Sequence, residues 1–527
     1  MLWKILPKKN DDLIEQLLIN RGIKTEKEKE LFFHPKISDF KKDLQIPGIE
    51  KAIKRIKEAI EKGEQIIVYG DYDVDGISAS AILYKALASL GAKVLPYIPH
   101  REKEGYGLSR VGLEFARDSG ATLVITVDNG IVAFEQAKIA KELGLDLIIT
   151  DHHVPQEEKP DAYGIVHSTK MCGAAVAWCL IKDLIKKDLS KELLQFVAIA
   201  TICDLIPLIG LNRSFVFEGL KILNTTTNLG LLELINECGI RMGSIGSFEI
   251  GYMIGPRLNA MGRLEHGIDS LRLLCTKDPL KAKRLAKLLS DTNSTRQTMT
   301  SVALDQARLL VDKTQTIQVL YSKEWSMGIV GLLAGKICDE HSCPVIAISV
   351  GEEISKGSAR SIGGINIVEV IRKHSDILID MGGHPGAAGF SILSKHLEVF
   401  RKRLESDGIK LPSSEKTLEV EAEVESKKLT KNLIKELEKF EPFGMNNRKP
   451  LFATYKMRIS DIRTVGNGKH LKFKVSSGFN SIDVIAFGMG AQADQLKPGQ
   501  TVDLAYNFEL DTYNGNEKLQ LIVKDIK

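Results

Sequence analysis

Long apolar runs are missing from this sequence. No stretch approaches the roughly 18 residues that a membrane-crossing helix needs, and the opening MLWKILPKKNDD is too short an apolar run for a signal peptide. The seven cysteines include no C-x-x-C pair, which disfavours a zinc ribbon or a disulfide framework and fits a reducing cytoplasm. Charge of one sign is not in surplus either: 72 basic residues face 68 acidic ones, so a nucleic-acid surface would have to be a local patch. There is no G-x-x-x-x-G-K-[ST]. Gly335-Lys336 is followed by Ile337, which offers no hydroxyl for Mg²⁺, and an ATP-driven motor is disfavoured. Internal repeats and low-complexity segments are also absent.

What remains is an ordinary globular composition, 43% apolar and 27% charged, over 527 residues, enough for three or four domains. The stretch that organises the rest is QIIVYGDYDVDG, Gln65 to Gly76. Ile66, Ile67 and Val68 read as a buried strand of a parallel sheet. Asp71, Asp73 and Asp75 follow at alternate positions, and a helix with Ile77, Ala81, Ile82, Leu87 and Leu90 inward runs on towards Gly91. One aspartate there would read as a helix cap. Three in five residues repel one another unless a cation sits among them.

A β/α alternation continues to about residue 205. Strands are expected at Lys93–Ile98, ending in His100 and Arg101; at Leu123–Val127, ending in Asp128, Asn129 and Gly130; and at Leu145–Thr150, ending in Asp151, His152 and His153. If the sheet is parallel, its acidic ends share one rim. Carboxylates with a few imidazoles and no thiols suit Mn²⁺ or Mg²⁺. Several of them together permit two ions for phosphoester hydrolysis, with Asp128 aimed to bridge and the two histidines dividing ligation from contact with the departing group.

GDYDVDG, VDNG, TDHH and ATICDLIPL, the last with Asp204, together resemble the ordered motifs of the DHH phosphoesterase superfamily, and within it the RecJ-type exonucleases specific for single strands. The resemblance implies metal ligation by Asp73, Asp75, Asp128, His152 and Asp204, with Asp71 close behind and His153 facing the scissile phosphate. Many relatives carry His where this chain has Tyr69, leaving a position that Asp71 or water would fill. His167 stands where the pattern usually reads Asn-Pro, and no role is assigned to it. In GPRLNAMGRL, Arg263 and Arg257 are implied phosphate contacts. Leu280–Leu310 is a long basic helix, either a solvated spacer or a wall that guides the strand. Further on, KGSARSIGG and the glycine-rich GGHPGAAG are expected to supply an anion site: Ser358 and Arg360 from the first, and Gly383, His384 and Gly386 from the second. Arg101, Ser358 and Arg360 would seat a terminal 5′ phosphate, which sets 5′→3′ polarity. Tyr106 reads as a core residue, with cover of a nearby base as the alternative.

The expected architecture is α/β and multidomain: a helical lead-in (1–50), a DHH parallel α/β domain (51–210), a helical connector (211–312), a smaller α/β DHH-associated domain (313–408), and a C-terminal β-barrel of the OB type (412–527). Short alternating runs with turn signals mark the barrel. Phe443, Phe473, Phe487 and Tyr513 are its candidate base-stacking aromatics, with barrel core as the competing reading. The implied activity is release of 5′-mononucleotides from single-stranded DNA in repair and recombination. Expected partners are single-stranded DNA, a single-strand-binding protein and a RecQ-like helicase, for a cytoplasmic monomer. A small-substrate DHH phosphodiesterase and a catalytically inactive replication scaffold are the alternatives.

Overall fold

In a computed structural model, which describes residues 1–412, 417–477, 480–511 and 517–527, the run at Ile66–Val68 lies inside strand β1 (Gln65–Tyr69). Its four residues from Ile66 to Tyr69 are fully buried, because helices cover both faces of a parallel sheet. β1 pairs on one side with β2 (Lys93–Tyr97) and on the other with β3 (Ala121–Val127), followed by β4 (Asp146–Asp151) and β5 (Gly164–His167), all parallel. The strand order β2-β1-β3-β4-β5 reverses direction between β1 and β3. That switch point opens a crevice at the carboxyl ends of the two strands, where Asp71 and Asp128 follow.

Helix α1 (Val74–Ser89) leaves β1 through the acidic turn and is buried along most of its length. Asp73 caps it, accepting from the backbone N–H groups of Asp75 and Gly76. Gly91, at φ 79°, takes the left-handed conformation just past its end. α2 (Arg110–Asp118) and α3 (Phe134–Glu142) complete the crossovers, while α4 (Gly173–Ile181) and α5 (Leu194–Cys203) pack against α1. The segment GPRLNAMGRL is helix α6 (Gly255–Leu264), and the long basic segment is α7 (Pro279–Leu310).

A second, mixed sheet follows: β6 (Gln318–Ser322), β7 (Val345–Ser349), β8 (Ile354–Arg360), β9 (Leu378–His384) and β10 (Ala387–Leu393), ordered β9-β10-β8-β7-β6, with α8 (Met327–His341) against it. Here the structure shows the form that GGHPGAAG takes. It is a hairpin, with Gly382 opposite Gly389 and Gly383 opposite Ala388. Small residues are required because a Cβ on Gly383 would lie 2.3 Å from the Ala387 carbonyl oxygen.

The chain divides into two compact units, and both sheets belong to Lys42–Asp204 with Glu218–Ser413. The other unit joins Met1–Lys41, Leu205–Phe217 and Ser414–Lys527. Its strands Phe452–Val465, His470–Ser477, Asn480–Ala486, Lys518–Ile526 and Thr501–Asp511 run in that spatial order, and the first also pairs with the last, closing a barrel. The N-terminal residues share its core: Leu2–Ile5 pairs in parallel with Thr417–Val420, and Phe32 packs edge-on against Phe440. Of the candidate stacking aromatics, Phe473 is in the barrel core and Phe443 packs against it. Phe487 is exposed, and Tyr513 lies outside the described residues. No helix among the described residues is long and apolar enough to cross a membrane.

Near the amino ends of β1 and β4 the first sheet is held by a buried arginine. Arg55, on the helix Ile49–Glu61, donates from Nε to Asp146 and from Nη2 to Glu64, each at 2.6 Å. Burial pushes the Glu64 carboxyl up, but hydrogen bonds from Thr122 and Arg55 outweigh it and hold the group below its ordinary range. A lowered carboxyl contributes stability that is complete above the ordinary glutamate range and is lost as pH falls through the folded value. Arg55→Ala should therefore cost roughly 2–3 kcal/mol at neutral pH, towards the low end for a broken buried pair because Asp146 is partly solvated. Denaturant titration followed by circular dichroism should show that difference shrinking below about pH 4.

Candidate metal centre and anion pocket

Each acid of the rim is placed by a different backbone device. Asp73 is the cap of α1. Asp75, in the first turn of α1, accepts hydrogen bonds of 2.7 Å from the N–H groups of Gly173 and Ala174, so the start of α4 is aimed at its carboxylate. Asp128 sits at φ 61°, a left-handed conformation uncommon for residues other than glycine. The VDNG turn pays for that strain with buried bonds: Thr126 Oγ1 to Asn129 O at 2.7 Å, Asn129 Nδ2 to Val127 O at 2.8 Å, and Thr150 Oγ1 to Thr126 O at 2.7 Å. Asp204 follows directly on α5.

These devices bring the sequence-derived residues together. His152 Nε2 lies 3.1 Å from Asp128 Oδ1, 3.5 Å from Asp75 Oδ2 and 3.6 Å from Asp204 Oδ2. Three overlapping groups have ligand atoms within 4.8 Å of one another: Asp75, His152 and Asp204; Asp71, Asp73 and Asp128; and Asp128 with both histidines. Asp128 belongs to two of the three. Tyr69 does not enter the cluster. Its hydroxyl turns to the Gly107 carbonyl and Ser109, and the acid that joins Asp73 and Asp128 is Asp71.

Electrostatics test whether a cation fits. Asp128 and Asp71 are held well above the carboxylate range by burial, with neighbouring aspartates adding to it. Burial and Asp75 push Asp204 up to about 8. One oxygen each of Asp71 and Asp128 is buried without a hydrogen-bond partner. Orphaned, mutually repelling oxygens beside a neutral-leaning imidazole (burial lowers His152) are the donor set of a hard divalent ion, and the residues fit Mn²⁺ or Mg²⁺.

Asp151 behaves oppositely, and the sequence reading gave it no role. It accepts from the N–H groups of Ile131, His152 and His153 and from His153 Nδ1 at 2.8 Å. Those bonds outweigh its burial and hold it below the usual range. For His153, burial opposes the charge, but the Asp151 contact prevails and raises the imidazole to about 9. The adjacent histidines thus shift in opposite directions: burial favours the neutral form of His152, and Asp151 favours the charged form of His153. The signal for Asp151 was present in the sequence as the first residue of the D-H-H triplet. Tyr106, expected in the core, is half exposed instead. Its hydroxyl donates to the Asp128 carbonyl at 3.0 Å and lies 3.2 Å from His153 Nε2.

Beside the acids is a cluster of guanidinium groups. Arg263 is pushed down to about 10, first by burial and then by Arg101 and Arg296, with Arg360 adding to it and Asp73 opposing. Arg360 is lowered by burial and by Arg101, and it donates to Ser358 Oγ at 3.1 Å. Arg101 stacks over the ring of Tyr72 at 5.1 Å. Arg296, which sequence reasoning missed, has a buried Nε without a partner. Nothing in the α7 sequence separates it from its solvated neighbours. Desolvated cations gathered in this way need an anion. Arg257 stands apart, bonded to Ser290 and to the Met253 carbonyl. Gly383, His384 and Gly386 lie exposed at the hairpin tip, tied to β8 through the Ser361 N–H bond to Gly386 O.

Comparison with known proteins places this geometry. Family models match residues 65–201 (DHH family, N-terminal domain), 314–407 (DHHA1 domain) and 420–525 (RecJ OB domain). The chain is 36% identical to the single-stranded-DNA-specific exonuclease RecJ of Bacillus subtilis over 97% of its own length and 67% of the relative's. It is 30% identical to the Haemophilus influenzae RecJ, covering 92% and 91% of the two chains. The crystal structure of Thermus thermophilus RecJ with Mn²⁺ superposes with a TM-score of 0.86 at 28% identity, over all of this chain and 79% of that one, and a Mg²⁺ complex of the same protein superposes at 0.79. The chain belongs to the RecJ family of DHH proteins.

Proposed function

We propose that this chain is a Mn²⁺- or Mg²⁺-dependent exonuclease that degrades single-stranded DNA from its 5′ end, releasing 5′-mononucleotides. The observation that carries the polarity is the adjacency of two opposite sites: buried acids with orphaned oxygens, and desolvated arginines that lack an anion. Asp71, Asp73, Asp75, Asp128, His152 and Asp204 would hold two ions. When bound, these would supply Lewis-acid stabilisation of the phosphoryl charge and a nucleophilic water at neutral pH.

The chain's own groups do the rest. Arg101, Arg263, Arg296, Ser358 and Arg360 seat the terminal phosphate, and His384 at the hairpin tip extends the donor set. His153, held as a cation by Asp151, faces the scissile phosphate and delivers a proton to the departing O3′. Tyr106 keeps the His153 ring against the Asp128 turn. The parallel α/β domain (51–210) and its associated domain (313–408) form the catalytic part. The C-terminal barrel (412–527) grips the strand. Seven unpaired cysteines support a cytoplasmic setting. A monomer fed by a single-strand-binding protein and a RecQ-like helicase is the working arrangement for repair and recombination.

Digestion of end-labelled strands tests this reading. A 5′ label should leave as mononucleotide at once, a 3′-labelled strand should shorten stepwise, and a matched duplex should survive. Asp128→Asn should lower cleavage at least ~10³-fold, several kcal/mol of lost charge stabilisation, while strand binding persists. Loss of di- to pentanucleotides with long strands intact would favour the small-substrate phosphodiesterase. Binding without cleavage under either metal would favour the scaffold.

The raised acids also fix a sign for stability. Between the ordinary carboxylate range near pH 4 and about pH 8 the folded, chelator-treated protein binds protons that the unfolded chain does not, so its melting temperature should fall as pH rises through that window. Mn²⁺ at about 100 times its dissociation constant should restore roughly 2.7 kcal/mol. Asp128→Asn should raise the metal-free melting temperature and blunt the response to Mn²⁺.

Gly173→Ala should be severe, because its Cβ would lie 2.7 Å from the Cβ of Asp128. Titration of Mn²⁺ against melting temperature should show weakened metal binding, and turnover should fall with it.

A further inference from the structure

Asn259 stands in GPRLNAMGRL between two arginines, and neither site described above uses it. Its side chain reaches the acidic turn all the same: Oδ1 accepts the Val74 N–H at 3.1 Å. Val74 is the first residue of α1, between Asp73 and Asp75, and it is buried. A helix leaves its first N–H groups without partners of its own. Asp73 satisfies those of Asp75 and Gly76 through Oδ1, and its carbonyl takes that of Ile77. The donor left over belongs to Val74, and a residue 185 positions further along the chain meets it.

Helix α6 is shaped to come this close. A Cβ on Gly262 would lie 2.3 Å from the Tyr72 carbonyl oxygen, so no side chain fits between helix and turn. At the start of α6, a Cβ on Gly255 would lie 2.4 Å from Sγ of Cys203, the residue before Asp204. At its far end, Arg263 Nη1 donates to the Gly328 carbonyl at 3.3 Å, and a Cβ on Gly328 would lie 2.1 Å from the Arg263 carbonyl oxygen. One helix is thus wedged against two acid-bearing segments, and Arg263, one turn beyond Asn259, joins the guanidinium cluster.

We infer that Asn259 is a positioning residue for the metal centre: by holding the Val74 N–H it keeps the Asp73 carboxylate turned to meet a divalent cation. The inference rests on the metal-dependent nuclease reading and deepens it. Without the Asn259 oxygen, a buried N–H must find another acceptor. The carboxylate adjoining it in the chain is that of Asp73, whose Oδ1 already serves two N–H groups. Any turn of that carboxylate towards Val74 competes with its place beside Asp71 and Asp128.

The test measures Mn²⁺ binding to the full chain directly, from the electron paramagnetic resonance signal of the free ion. Binding of a 5′-phosphorylated single strand in chelator is measured beside it. Asn259→Ala and Asn259→Leu, which remove the acceptor, should weaken Mn²⁺ binding about 10- to 100-fold. Their strand binding in chelator should match the parent, because the guanidinium cluster is intact. Asn259→Asp keeps an acceptor oxygen and should bind Mn²⁺ at least as well as the parent. Unchanged Mn²⁺ binding in the first two variants overturns the assignment, and so does an equal loss of metal and strand binding. Weaker Mn²⁺ binding by Asn259→Asp overturns it even where the acceptor-free chains do not fold. If the parent binds no Mn²⁺, or binds it and cleaves neither labelled strand, it is the nuclease reading that fails. If the parent binds and cleaves while the variants hold the ion as it does, the role of Asn259 alone is lost.

Discussion

Repulsion among aspartates in one buried rim is the constraint to which the rest of this structure responds. Carboxylates crowded at the ends of β1 and β3 cannot all be ionised in a low-dielectric crevice without compensation. Two kinds of compensation are built in. Asp75 and Asp151 receive backbone N–H groups, from the start of α4 and from the turns after β3 and β4. Asp71 and Asp128 each keep an oxygen that no protein group satisfies. The first device orients a carboxylate through the backbone, and the second leaves an oxygen free to meet a cation.

The same logic with the sign reversed governs the arginines. Arg263, Arg296 and Arg360 are each lowered by burial, and Arg101 adds to the repulsion on two of them. Such groups are costly to hold together unless an anion joins them. A cation-seeking and an anion-seeking cluster side by side match a substrate whose terminal phosphate sits one nucleotide away from the bond to be cut.

Much of this was legible in the order of residues. An apolar run followed by an acid, three times over, is enough to place carboxylates at one rim once the strands are parallel, since parallel strands put all their carboxyl ends on the same side. The helix after Asp75 and the hydrophobic alternation of the C-terminal barrel were equally open to reading. Others were not. Gly173 is nearly a hundred residues from Asp75 and looks like one small residue in a run of them. Its importance comes only from the approach of α4 to the acids. Arg296 is one basic residue among many on a long helix, and burial alone distinguishes it. GGHPGAAG has the composition of a loop and becomes a hairpin because cross-strand contact with Ala387 and Ala388 leaves no room for a Cβ.

The sequence by itself determined the chemistry on offer: which strands end in acids, and that two histidines follow one of them. Tertiary structure alone decided how those groups differ. His152 and His153 are neighbours with identical side chains, yet burial lowers the first against the pull of Asp75, while contact with Asp151 raises the second. Proton affinity depends on desolvation and on the charges within a few ångströms, and neither is a property of residue order.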